Sequence, residues 1–215
     1  TGQGARTSVS GGTDETLLVG PLVVELASKW MSPPSLQWCE LMAKWRVFRK
    51  AVAVTSTDVT RLRTKAYGKE SLFVFNPDQK RKQAPLRMRD SLVSRVRSVL
   101  IAQGLLRSRR MRTPVALVSM PGCLRQAWHT DYDTTTMRKT SEKPMGVLLA
   151  LQKETRFEMP RRTVRLGAGD LLVFDGDVVH AGAAYSGENI RMHAYIDRPT
   201  EAHPANETYL VDGVV

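Results

Sequence analysis

The chain has 215 residues, 42% of them hydrophobic, and a formal net charge of +11. That is enough apolar material for one buried core and too much for a disordered chain. No apolar run approaches the roughly 20 residues that span a bilayer. The longest, Leu17 to Leu26 and Val147 to Leu151, are strand-sized, so no membrane partner is expected.

The positive charge is local. Residues 41–113 hold 19 Lys+Arg against 4 Asp+Glu, whereas 1–40 (2 against 4) and 114–215 (11 against 13) are slightly acidic. Cys39 and Cys123 lie in no CxxC and near no His at zinc-finger spacing, and read as ordinary thiols in a reducing compartment, the cytoplasm or nucleus. There is no secretory signal pattern. The first residue is Thr1 rather than Met, and the chain is expected to be a piece of a longer one.

Residues 1–13, TGQGARTSVSGGT, read as a flexible leader to a single domain over 14–215. TLLVGPLVVEL (16–26) is a strand broken at Gly20-Pro21. Ser32-Pro33-Pro34 is a helix start, predicting a helix that turns Leu36, Cys39, Leu41, Met42 and Trp45 inward. A second helix is predicted from about Asp90 to Leu105, where Leu92, Val96, Val99 and Leu100 recur at helical spacing and Arg95 and Arg97 lie off the stripe. KRK at 80–82 and RSRRMR at 107–112 belong to the basic stretch, either a solvated surface or a seat for a polyanion such as nucleic acid.

From residue 114 the pattern changes to short strands: 115–119, 146–152, 163–166, 170–174, 178–184, 190–196 and 208–212, separated by Pro, Gly and Asp-Gly turns. The expected fold is mainly β with flanking helices. An antiparallel sandwich or jelly roll over 114–215 is supported by a partly helical, basic region over 14–113.

The chemistry centres on QAWHTDYD (126–133), which sets His129 and Asp131 two positions apart. In an extended backbone residues i and i+2 point the same way, so both can reach one divalent metal. The third ligand is His180, in GAGDLLVFDGDVVHAGAA, where two strands are expected to flank the Asp175-Gly176 turn. Two histidines and one carboxylate form a facial triad that suits Fe(II) and leaves positions open for a bidentate co-substrate and dioxygen. Arg191 follows His180 by eleven residues. If YSGEN (185–189) turns the chain, strands 178–184 and 190–196 are antiparallel neighbours and Arg191 returns to the His180 end. A buried arginine there needs an anion.

HTD at 129–131, 48 intervening residues, His180 inside LGAGDLLVFDGDVVHAG and then Arg191 resemble the iron(II)/2-oxoglutarate-dependent dioxygenases. The resemblance covers residues 114 to 197. Within that superfamily QAWHTDY and GDLLVFDGDVVHAG are most similar to the phytanoyl-CoA and ectoine hydroxylase group. The 48-residue gap is closer to prolyl hydroxylases and AlkB-type demethylases. Arg191 stands where prolyl hydroxylases commonly have Lys, and the AlkB-type NxYxxG falls on Leu117, Ser119 and Gly122, so the subfamily stays open. The resemblance implies a double-stranded β-helix core, iron held by His129, Asp131 and His180, and 2-oxoglutarate with its far carboxylate on Arg191. It further implies consumption of O2, release of succinate and carbon dioxide, and hydroxylation of a C–H bond. Asp131 is the carboxylate that related halogenases replace by a small residue, which favours hydroxylation.

Gln126 is a candidate to hydrogen-bond the co-substrate; Trp128, Tyr132 and His193 are candidates to wall the substrate pocket. Packing is the alternative for Gln126, Trp128 and Tyr132, and a backbone-bonded strand histidine is the alternative for His193. His203, in a polar tail, is expected to be exposed. Three functions remain: a hydroxylase of a small molecule or protein side chain, an oxygenase or demethylase acting on modified nucleic acid held by residues 41–113, and a non-catalytic jelly-roll binding module.

Overall fold

The structure is a computed structural model in which residues 44–73, 79–137, 143–198 and 208–211 are described. The expected leader, the 16–26 strand and residues 36–42 of the first predicted helix lie outside these residues, as does His203. Trp45, expected on that helix, instead begins a strand.

A large antiparallel sheet carries the fold. Its order is β1 (Trp45–Phe48), β10 (Leu171–Asp175), β7 (Met145–Ala150), β12 (Asn189–Asp197), β5 (Val115–Ser119), β3 (Arg81–Pro85) and β2 (Leu72–Phe73), with β4 (Arg110–Met111) paired to the end of β12. Facing it is a smaller sheet of β11 (Ala181–Gly182), β8 (Thr155–Met159) and β9 (Arg162–Leu166), beside a two-stranded pair of β6 (His129–Thr130) and β13 (Tyr209–Leu210). A bridge between His129 and His180 joins that pair to the chain just before β11. This is the expected jelly-roll arrangement.

The period-2 alternation of the central strands sorts their residues into two layers. Val147 and Leu149 of β7, Leu171 and Val173 of β10, and Ile190, Met192, Ala194 and Ile196 of β12 enter one core. Leu62 and Ala66 of α1 (Ser56–Tyr67) and Leu92, Val93, Val96 and Leu100 of α2 (Ser91–Ala102) complete it. Leu148 and Ala150, then Leu172 and Phe174, turn the other way and meet Phe157, Val164 and Leu166 of the small sheet. The opposite face of β12 is polar: Arg191, His193 and Tyr195 line the cavity between the sheets, with Asn189 and Asp197 at the two ends of the same alternation. Gly146 sits where any Cβ would collide with the Phe174 ring.

The second predicted helix is present, capped by Asp90, whose side chain accepts from the Leu92 N–H at 3.0 Å. It ends three residues early, and Val93 takes more of the burial than Val99. Helix α1 was not legible, although Thr55 and Asp58 form a capping box at its start. Asp58 is 3% exposed and ion-pairs with Arg61 and Arg95, tying α1 to α2. Residues 45–111 supply β1 to β4 of the large sheet. Among the described residues no helix is long and apolar enough to cross a membrane.

Two expected hairpins are absent. β10 and β11 do not pair across Asp175-Gly176, because β10 lies in the large sheet and β11 in the small one. Nor does 178–184 pair with 190–196: β12 takes β5, β7 and β4 as partners. Both turns carry the chain from one sheet to the other. Local turn chemistry cannot distinguish such a crossing from a hairpin.

Candidate metal centre and anion pocket

A cavity of about 560 Å³ opens between the sheets, lined by His129, Asp131, His180, His193, Arg191 and Arg81 among others. His129, Asp131 and His180 are all buried, and one donor atom from each lies within 4.8 Å of the others. His129 sits on β6 and Asp131 one residue beyond its end, so the i, i+2 argument holds although the strand stops at Thr130. His180 is brought opposite by the paired backbone bonds His129 N–H to His180 O at 3.0 Å and His180 N–H to His129 O at 2.8 Å.

The tautomers follow from the partners. Nδ1 of His129 lies 2.9 Å from the Ala127 carbonyl, and Nδ1 of His180 lies 2.9 Å from the Val178 carbonyl. A carbonyl only accepts, so each Nδ1 carries the proton and each Nε2 presents a bare lone pair. Burial pushes His180 down to about 4, against the pull of Asp131, which keeps it neutral at physiological pH. Burial works to raise Asp131, but His180, His193 and His129 outweigh it and hold the carboxyl well below the usual carboxylate range. A neutral His180 and an ionised Asp131 are the protonation states a divalent metal requires of these two ligands.

His193 does enter the cavity: its Nε2 lies 3.6 Å from Asp131 Oδ2. Gln126 is buried and lines the cavity, and its Oε1 accepts the Gly182 N–H at 2.9 Å. Trp128 and Tyr132 do not line it. Trp128 stacks under Arg125 at 4.4 Å, while Tyr132 donates to Asp197 and packs over Gly176. Their side chains are engaged in these contacts instead.

Arg191 comes from the sheet opposite His180. It is 5% exposed and donates to Ser119 Oγ at 2.9 Å and weakly to Asn189 Oδ1 at 3.5 Å. Burial lowers its pKa, with Tyr185 and Cys123 opposing. Arg165 and Arg125 do not line the cavity, and Arg165 pairs with Glu154 at the surface, whereas Arg156 is in the lining. Sequence reading missed Arg81. It falls within KRK at 80–82, yet is 2% exposed and lines the cavity. Lys80, just before β3, and Lys82 are better exposed, and three consecutive cations carry no sequence signal that the middle one is buried.

No family model matches the chain, and a search of curated proteins finds no match. Solved structures do. HygX from Streptomyces hygroscopicus, solved with nickel and 2-oxoglutarate, is 11% identical, with a TM-score of 0.57 covering 79% of this chain and 89% of that one. SnoN, a non-heme alpha-ketoglutarate-dependent epimerase from nogalamycin biosynthesis, is 14% identical at a TM-score of 0.58, covering 76% and 81%. The collagen prolyl hydroxylase of Paramecium Bursaria Chlorella virus-1, as its 2-oxoglutarate complex, is 13% identical at 0.52, covering 71% and 95%. The chain shares the fold of these iron/2-oxoglutarate oxygenases, and its His-Asp-His group can hold a metal.

Proposed function

We propose that the chain is an iron(II)- and 2-oxoglutarate-dependent dioxygenase that hydroxylates a C–H bond of its substrate. The observation that carries this reading is the convergence of His129, Asp131 and His180, with both Nε2 atoms unprotonated, in the cavity that also holds Arg191. When bound, iron(II) with 2-oxoglutarate and dioxygen supplies an oxidation that inserts one oxygen atom into the substrate and releases succinate and carbon dioxide. The chain's residues bind, orient and exclude water. His129, Asp131 and His180 hold the metal. Arg191 holds the far carboxylate of the co-substrate, the Gln126 amide donates to it, and His193 faces Oδ2 of Asp131. Leu117, Leu148, Phe157 and Phe174 keep the surrounding wall apolar.

The test is succinate formation from 2-oxoglutarate dependent on added Fe(II), with His180→Ala and Asp131→Ala as controls. Turnover in the wild type and none in the controls is the expected result. Neither turnover nor stoichiometric metal in the wild type would return the chain to a non-catalytic binding module.

The oxygenase of modified nucleic acid draws on the exposed Arg87, Arg89, Arg97 and Arg107. Against it, Lys44, Arg49, Arg61, Arg63, Arg95 and Arg112 engage in ion pairs with acids of the same chain. Binding to RNA or DNA that weakens steeply with salt would favour this substrate class.

A further inference from the structure

The two histidines of the metal group are fixed by their own stretches of chain, since Nδ1 of His129 and of His180 faces the carbonyl two residues before it. Asp131 is held differently. It lies one residue past the end of β6, and its carboxylate is met by side chains of β12, in the large sheet. His193 Nε2 lies 3.6 Å from Oδ2, while Oδ1 lies 3.7 Å from His180 Nε2, so the two oxygens face different histidines. The Tyr195 hydroxyl, on the same polar face of β12, hydrogen-bonds the same carboxylate. A phenol is protonated at neutral pH and a carboxylate only accepts, so Tyr195 donates.

At 3.6 Å His193 stands about half an ångström beyond a normal N–H···O bond, a gap that a small ring rotation closes. The carboxylate can only accept there too, which places a proton on Nε2 of His193. His129 and His180 carry theirs on Nδ1 and present a bare Nε2. A histidine with a proton on Nε2 cannot ligate a metal through that atom, so the third imidazole of the cavity is a support and not a ligand. Both supporting rings are themselves braced. His193 and Tyr195 meet edge to face at 4.7 Å, and Tyr195 meets Tyr132 in the same way at 5.7 Å. The Tyr132 hydroxyl donates to Asp197, which is fully buried and accepts the Arg112 Nε–H at 2.7 Å. The brace thus runs from Arg112, just after β4, to the metal group.

We infer that His193 and Tyr195 are positioning residues for the metal: they fix the rotation of the Asp131 carboxylate so that Oδ1 stays turned to His180 and one oxygen, not both, reaches the ion. A carboxylate that turned both oxygens inward would occupy one more position on the ion. The inference rests on His129, Asp131 and His180 binding a metal, and not on the reaction carried out there.

The experiment titrates Co(II), a coloured stand-in for the native ion, into the full chain and reads its affinity and visible absorption, with melting of the metal-free protein as the control for structure. His193→Phe and Tyr195→Phe each keep a ring and remove a donor. Each is expected to weaken Co(II) by about 10- to 100-fold, the usual cost of losing a support behind a ligand. Each should also change the intensity of the visible bands, because a carboxylate released to turn brings its second oxygen to the ion. Tm of the metal-free protein stays within about 3 °C of the wild type. His193→Gln, which keeps an N–H donor, regains affinity and the wild-type spectrum.

Unchanged affinity and spectrum in both Phe variants overturns the inference, as does an effect in only one of them. Loss of Co(II) that His193→Gln does not recover also overturns it, making His193 a ligand if the metal-free Tm holds and a packing residue if the Tm falls. If one Phe variant does not fold, the other decides together with His193→Gln. A wild type that binds no Co(II) removes the metal site and the inference with it. A wild type that binds Co(II) but does not turn over 2-oxoglutarate with Fe(II) removes only the oxygenase.

Discussion

Replacing Arg191 by methionine should make the protein more stable without ligand and less stable with it. Arg191 is 5% exposed and offsets its burial with one good bond to neutral Ser119 and one 3.5 Å contact to Asn189, beside a second buried guanidinium. Desolvating an ion costs several kcal/mol, and one hydrogen bond from a charged donor returns roughly 1.5–3 kcal/mol. A methionine of similar reach fills the space without that penalty, so the ligand-free variant should gain on the order of 1–2 kcal/mol. At about 2–4 °C per kcal/mol for a chain this size, Tm rises by roughly 2–8 °C. Adding Mn(II) and 2-oxoglutarate at about 100 times the dissociation constant stabilises the wild type by a further ~2.7 kcal/mol and leaves Arg191→Met near its metal-only value. The melting curves should therefore exchange order between the two conditions. A ligand-free Arg191→Met that melts below the wild type refutes the claim that the cation is held at a cost. A variant that keeps the 2-oxoglutarate shift refutes its assignment to the co-substrate.

His180→Ala and Asp131→Ala should each abolish the thermal shift produced by Mn(II) alone, because each removes one of three converging donors; an undiminished shift in either would dissolve the triad. Asp58→Asn should destabilise by about 1–3 kcal/mol, discounted because Arg61 and Arg95 are about a third exposed. Burial raises the Asp58 pKa, but the Thr55 N–H and hydroxyl and Arg95 more than reverse this and leave it below its ordinary value. Its contribution is therefore complete above the unfolded pKa of about 3.9 and disappears as pH falls through the lower folded value, so wild type and Asp58→Asn should converge in stability toward pH 2. Lys80→Glu with Lys82→Glu should leave 2-oxoglutarate affinity within about twofold, whereas adding Arg81→Glu to the pair should abolish it; three equivalent effects would place all three side chains on one surface.

What the sequence made legible were features with a short period or a fixed offset. The strand over 115–119 matches β5 residue for residue, and the alternation of 190–196 falls within β12. The HTD and His180 pair meets as expected. The legible part stopped where the answer depended on long-range pairing. Whether residues after Asp175 or Tyr185 return beside their own strand or cross to the other sheet is decided by partners far away along the chain, such as β1, paired through Trp45 and Phe174, and β5, paired through Ser119 and Asn189. Arg81 was hidden for the same reason: among so many cations a buried one looks like a surface one until β3 is placed next to β5. Trp128 and Tyr132 were placed by proximity to the HTD, and proximity along the chain does not fix direction beyond a bend.

The polar face of β12 acts as a ruler. Successive inward residues of a strand stand about 6.6–6.8 Å apart, a spacing set by covalent geometry and not by packing. One such step separates Arg191, at the anion end, from His193, at the carboxylate of the metal site. On the proposed function, the length of an acid bridging the two ends would thus be set by the backbone. Exchanging Ile190, Met192 or Ala194 for other apolar residues on the helix side leaves the ruler intact. Deleting a single residue between Arg191 and His193 would shift one mark off the scale and turn the rest of the strand inside out.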